Sequence, residues 1–187
     1  MKFKLNRAFR ETSGELDGLV YRTVRGKVVA SRKPDMTNVV YSENQIAHRK
    51  RFKQAALFGK SIMADSTVRA LYEEIAKERN IPLFATTIAD FFNAPVIHEV
   101  DVFGYSGNVG DTILVTASDD VGVEKVHVSI SAPDGSPIEN GQAIEVGDDS
   151  GQWIYTATVQ GQPVVKIQVV AQDRPGGNAI MNIDKTF

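Results

Sequence analysis

The groups in this sequence with the means to do chemistry are carboxylates in turns, three scattered histidines and a run of cations. Asp119 and Asp120 belong to Ser118-Asp119-Asp120-Val121-Gly122-Val123, and Asp173 to Ala171-Gln172-Asp173-Arg174-Pro175-Gly176-Gly177-Asn178. Carboxylate oxygens are hard donors, and several converging on one point suit calcium. A turn aspartate also bonds its own backbone, and the EF-hand spacing is absent, so on sequence the calcium question stays open. His48, His98 and His127 form neither a His-x-x-x-His pair nor an HExxH motif, which argues against a zinc site. Gly59-Lys60-Ser61 imitates the end of a phosphate-binding loop, but Gln54 stands where its first glycine belongs and the triplet falls inside a helical pattern. Gly104, Gly107 and Gly110 are spaced as turn residues rather than as a dinucleotide fingerprint. No G-x-S-x-G or Ser-x-x-Lys motif stands in a strand-to-helix context, and the absence of cysteine excludes thiol catalysis and Cys-bound metal. The expectation is a protein that is not an enzyme, with no catalytic residue, cofactor or metal.

The cations are the strongest surface feature. His48-Arg49-Lys50-Arg51-Phe52-Lys53 is preceded by Arg22, Arg25, Lys27, Arg32 and Lys33. Residues 1–94 carry 17 Lys+Arg against 10 Asp+Glu, and residues 95–187 carry 4 against 13, so a net charge of −2 hides halves of +7 and −9. A basic helix face can be no more than a solvated surface; otherwise it meets phosphate backbones or an acidic protein surface. Composition is ordinary for a globular protein, with 42% hydrophobic and 24% charged residues in 187. After Met1-Lys2-Phe3-Lys4-Leu5-Asn6-Arg7 there is no apolar run of about seven residues, and nowhere the roughly 20 that span a bilayer. The reading is a protein made in the cytosol without a secretory signal or membrane span, its final location open, a surface or virion assembly included.

Positioning these groups falls to two kinds of element. Residues 2–9 alternate weakly, with Phe3, Leu5 and Phe9 on one side, as an edge strand would. Glu11–Gly18 reads as a loop, and Leu19–Val24 and Lys27–Ser31 as a hairpin about Arg25-Gly26. Ser42-Glu43-Asn44-Gln45 is a capping box, so a helix starts there, with Gln45, His48, Phe52, Ala55, Ala56, Gly59, Ile62 and Met63 on one face. Its small residues permit close approach of another element. Asp65 or Ser66 caps a second helix that buries Val68, Leu71, Tyr72, Ile75 and Ala76 and ends at Asn80 and Pro82; a third covers about Leu83–Phe92. At Pro95 helical periodicity gives way to β alternation, which divides the chain into a basic hairpin-and-helix unit, 1–94, and an acidic unit, 95–187.

In the second unit Val126, Val128 and Ile130 alternate with polar residues, as do Val165, Ile167, Val169 and Ala171. Seven strands are expected, near 96–103, 111–118, 123–131, 143–146, 152–159, 164–172 and 179–186, around a core that includes Ile113, Val115, Trp153 and Tyr155. With the two turn motifs, this half resembles bacterial immunoglobulin-like and cadherin-like domains, whose pattern runs roughly SDDVGV…V and then A-x-D-x-x-G-N. The resemblance implies an immunoglobulin-like β-sandwich used as a scaffold or binding module. Arg32–Asn93 is similar to uncharacterised bacterial proteins with RKPD, S-x-x-Q-x-x-x-R-x-x-F and A-D-x-x-V-R-x-x-Y, a likeness that supplies no function.

The whole is therefore expected to be α+β, a β-hairpin with short helices followed by an immunoglobulin-like sandwich. The function expected is structural: self-association head to tail into a ring or filament, through Phe3, Leu5 and Phe9 and the basic face of Arg49, Lys50, Arg51 and Lys53. The alternative is a nucleic-acid-binding or adaptor protein using the basic unit.

Overall fold

The structure, a computed structural model, describes residues 14–24, 27–148 and 150–187. Among them are three helices and three antiparallel sheets, an α+β arrangement. The compact units divide between Ile46 and Ala47, whereas the change from helical to strand periodicity falls at Pro95.

In the first unit β1 (Gly14–Leu16), β2 (Leu19–Val24) and β3 (Lys27–Arg32) form a meander in that order. β1 occupies a stretch read as loop. Its signal is Asp17-Gly18, where φ values of 51° and 71° close a two-residue hairpin with Leu16 opposite Leu19. Such turns match the right-handed twist of the strands they join. None of the meander's described side chains is buried, so it has no core of its own, and small sheets of this kind are marginal in water. The strand expected at 2–9 and the Arg25-Gly26 turn lie outside the described residues.

α1 (Glu43–Ala64) begins with the expected capping box: Gln45 N–H donates to Ser42 Oγ at 3.3 Å and Ser42 N–H to Gln45 Oε1 at 2.9 Å. α2 (Ser66–Glu78) is capped by Asp65, whose Oδ1 accepts from Thr67 N–H and Val68 N–H. It stops where Asn80 takes a φ of 52° and Ile81 N–H reaches back to the Ala76 carbonyl. α3 (Leu83–Phe92) packs on the second half of α1, and an aromatic cluster of Phe58, Tyr72 and Phe91 joins all three helices. Ala55, Gly59 and Ile62 are buried, whereas Gln45, His48 and Phe52 are exposed, His48 and Phe52 meeting the Phe92 ring at the end of α3, 5.5 and 6.5 Å between ring centres.

The remaining strands are β4 (Val96–Asp101), β5 (Thr112–Ser118), β6 (Val123–Ser131), β7 (Pro137–Gln142), β8 (Ile144–Glu145), β9 (Gln152–Thr156), β10 (Val164–Asp173) and β11 (Asn178–Thr186). They form two four-stranded sheets, ordered β4-β5-β9-β8 and β11-β10-β6-β7, and the chain changes sheet after β5, β7 and β9. Both sheets feed one core, in which Ile113, Val115, Val126, Val128, Trp153, Tyr155, Ile167 and Val169 are all buried, as their alternation requires. β7 is the strand that periodicity did not reveal. Pro137 lowers a run's strand character, yet proline is tolerated at the first residue of an edge strand, which is its place here.

Candidate functional site

Polar chemistry concentrates where α2 and α3 rest on the turns after β5 and β10. The β5–β6 turn presents Asp120 outward to the helices. Arg79, just past α2, donates through Nη1 to Asp120 Oδ1 at 2.8 Å and through Nη2 to the Asp120 carbonyl at 2.9 Å. The Asn93 amide, just past α3, donates to Asp120 Oδ2. That amide and then Arg79 stabilise the charged form, holding the Asp120 carboxyl below its usual range.

Asp119, the neighbouring residue, turns inward and accepts from Val121 N–H at 3.2 Å. There it meets Asp90 of α3 and Asp173 at the end of β10. The Tyr72 hydroxyl of α2 donates to Asp90 Oδ2 at 2.7 Å in the buried interior. Burial pushes Asp90 up to about 7, with the charges of Asp119 and Asp173 adding to it and the Tyr72 bond opposing it. Asp173 is also raised, first by burial, against the Gly177 and Gly176 N–H groups that favour its charge. The turn needs glycine at 177, because a Cβ there would lie 2.5 Å from Asp173 Oδ2.

The three aspartates considered for calcium are thus divided between two tasks, Asp120 tying down helix ends and Asp119 and Asp173 facing Asp90. Among the described residues no group of three or more His, Cys, Asp or Glu side chains is arranged to hold a metal ion. Sequence reasoning missed Asp90. The available signal was a lone carboxylate in a helix that is otherwise apolar or uncharged, Leu83-Phe84-Ala85-Thr86-Thr87-Ile88-Ala89-Asp90-Phe91-Phe92, with Thr86 and Thr87 on the same buried side.

Beside this junction, α2 and the β4–β5 face border an open groove of about 450 Å³. Glu74, Glu78 and Glu145 make its lining acidic, with Asp120 already paired to Arg79, and among the described residues no lysine or arginine lines it. His98 and Ser118 share a 2.6 Å hydrogen bond there, the nearest thing to a base and nucleophile pair. They are exposed neighbours beside the bulge in the β4–β5 pairing, which accounts for their contact. An acidic open groove is suited to receiving a cation from outside.

Of the expected interface residues, Phe3, Leu5 and Phe9 lie outside the described residues. The basic cluster does not act as one face. Arg51 folds back on α3, its guanidinium 4.9 Å from the Phe92 ring centre and donating to the Phe92 carbonyl at 3.4 Å. At 100° per residue Arg49, Lys50, Lys53 and Lys60 fall on the opposite side of α1 with Leu57, all of them exposed, Leu57 at 58%. Lys60 and Leu57 are the members that sequence reasoning did not assign to this stripe.

No family model matches the chain, and no curated protein matches it. A solved structure of CopC from Methylosinus trichosporium OB3b is similar over 49% of this chain and 91% of that one, at 12% identity and a TM-score of 0.39, a likeness too slight to bear on function.

Proposed function

We propose that this is a non-enzymatic structural protein whose copies associate head to tail, the outward stripe of α1 on one copy entering the acidic groove of the next. The observation that carries the reading is complementarity within one compact unit. Lys50, Lys53 and Lys60 stand exposed on α1, while Glu74, Glu78 and Glu145 line a groove elsewhere on that unit. Two different surfaces that fit each other make a heterologous contact, which closes into a ring or runs on as a filament. Exposed ion pairs contribute about 0–1 kcal/mol each and are screened beyond about 8 Å at physiological salt, so charge sets orientation and Leu57 must supply apolar burial at the centre. Further affinity comes from strand addition by the Phe3, Leu5 and Phe9 segment to an open sheet edge. We read the two sheets as an immunoglobulin-like sandwich, a reading supported by the order β4-β5-β9-β8 against β11-β10-β6, with β7 added, and such a fold suits a scaffold role.

The test is mass and shape at low and high salt for the parent, a variant with Lys50, Lys53 and Lys60 changed to Glu, and a variant lacking residues 2–9. Salt-sensitive particles from the parent alone support the proposal. If the parent stays a monodisperse monomer at low salt, or both variants assemble as it does while folded, the proposal fails. The exposed stripe also suits a polyanion, so nucleic-acid binding is the second reading; gel retention of duplex DNA with a steep salt dependence, lost in the Glu variant, would favour it.

A further inference from the structure

Three carboxyl groups meet under α3 without enough donors. Asp90 is 0% exposed and Asp173 1%. Asp90 Oδ2 has the Tyr72 hydroxyl, but Asp90 Oδ1, Asp119 Oδ1 and Asp173 Oδ2 are all buried with no donor among the described residues. Leaving a buried polar atom unsatisfied is costly, more so if it is charged, so these three orphan oxygens demand an explanation. Asp90 and Asp119 lie within hydrogen-bonding reach of each other. Two carboxylates in that relation repel, whereas a carboxyl and a carboxylate bond strongly, one proton satisfying an orphan oxygen on each.

We propose that a proton held between Asp90 and Asp119 is the latch that seats α3 on the turns of the two sheets, so that the helices are seated while it is present and loosened when it leaves. The groups that face Asp90 leave no other source for a donor. From α2 comes Tyr72, already donating; from the β5–β6 turn comes Asp119; from β10 comes Asp173. Arg174, in the turn after β10, acts by its charge on the Tyr72 phenol, and among the described residues it gives Asp90 Oδ1 no hydrogen bond. The sign follows from burial. A carboxyl whose value rises from 3.8 when unfolded to about 7 when folded lends stability that is complete below 3.8 and is lost as pH climbs through 7. Across that window the seated state weakens about tenfold per pH unit.

The experiment is carboxyl ¹³C NMR of aspartate-labelled protein across about pH 4 to 9, with urea unfolding followed by Trp153 fluorescence at the same pH values, on the parent, Asp90→Asn and Asp119→Asn. One parent resonance should titrate near 7 and vanish in Asp90→Asn. That variant, whose amide donates to Asp119 and still accepts from Tyr72, should lose the fall in unfolding midpoint between about pH 4 and 7. Asp119→Asn gives ionised Asp90 a donor and should move its titration down. The proposal is overturned if every aspartate in the parent titrates below about pH 5, a measurement that does not depend on either variant folding. It is equally overturned if millimolar calcium raises the parent's midpoint at pH 8 and abolishes the titration, since the orphan oxygens would then belong to a cation.

Discussion

Replacing Gly59 by Ala sets two effects of opposite sign against each other, and the structure decides between them. In a helix interior alanine is favoured over glycine by about 1 kcal/mol. Here, however, a Cβ would lie 2.6 Å from Thr87 Oγ1 and 2.8 Å from Phe84 Cε2 on α3. The Phe84 ring is partly exposed and can swing aside, so it resists little. Thr87 cannot. It is 0% exposed, stiff at χ1, and its hydroxyl donates to the Phe84 carbonyl at 2.8 Å. Overpacking of this kind costs about 1–3 kcal/mol, and displacing the hydroxyl forfeits about 1 kcal/mol more. The net expectation is destabilisation by about 1–3 kcal/mol. Urea unfolding followed by far-ultraviolet circular dichroism measures it, with the Thr87→Ala and double variants completing a cycle. Removing Oγ1 should relieve most of the penalty, so the two changes should couple by more than about 0.5 kcal/mol. If Gly59→Ala is as stable as the parent or more so, α1 and α3 do not approach this closely and the packing of the helices described above is wrong.

Trp153 is 5% exposed between the sheets, and Trp153→Ala should cost about 3–5 kcal/mol in the same assay; a loss under about 1 kcal/mol would mean that the two sheets do not close over it. Gly177→Ala should cost about 1–3 kcal/mol, because the added Cβ meets a buried carboxylate pinned by the residue's own N–H. An unchanged melting temperature would show that Asp173 is free to move away.

Period and turn chemistry carried most of the architecture, each for a local reason. The capping box at Ser42 and the Asp65 cap are satisfied within a few residues, so no distant contact overrides them. The alternation of β6 and β10 survives because each strand has one face on the shared core. What stayed hidden is long-range. β7 is read through proline, and its place is fixed only by pairing with β6. Arg51 looks like its neighbours in the basic run until Phe92, far along the chain, is placed against it. The pairing of Asp90 with Asp119 joins residues from different elements, and neither period nor spacing reports on it. For the same reason the turn aspartates suggested a cation, although half of what they do is to receive the ends of α2 and α3.

Those two uses of one turn give a testable dependence on acid and base together. Asp120 is ionised, held below its ordinary 3.8 by the Asn93 amide and by Arg79, so its contribution is present above that value and fades as pH falls through it. Asp90 behaves oppositely, its contribution fading as pH rises toward 7. The seat of the helices should therefore be firmest near pH 4 and weaken on both sides, by different residues, the alkaline limb running from about 4 to 7. Arg79→Ala separates the limbs. The pair is partly exposed, at 40% and 25% for the two side chains, so its loss should cost only about 0.5–1 kcal/mol at neutral pH. On the acid side the slope should shrink without vanishing, because Asn93 still donates to Asp120. On the alkaline side it should be untouched, because the hydrogen bonds of Arg79 go to Asp120. A variant whose alkaline limb moved as far as its acid limb would show that the outward and inward aspartates titrate as one group, and the division of labour between Asp119 and Asp120 would have to be abandoned.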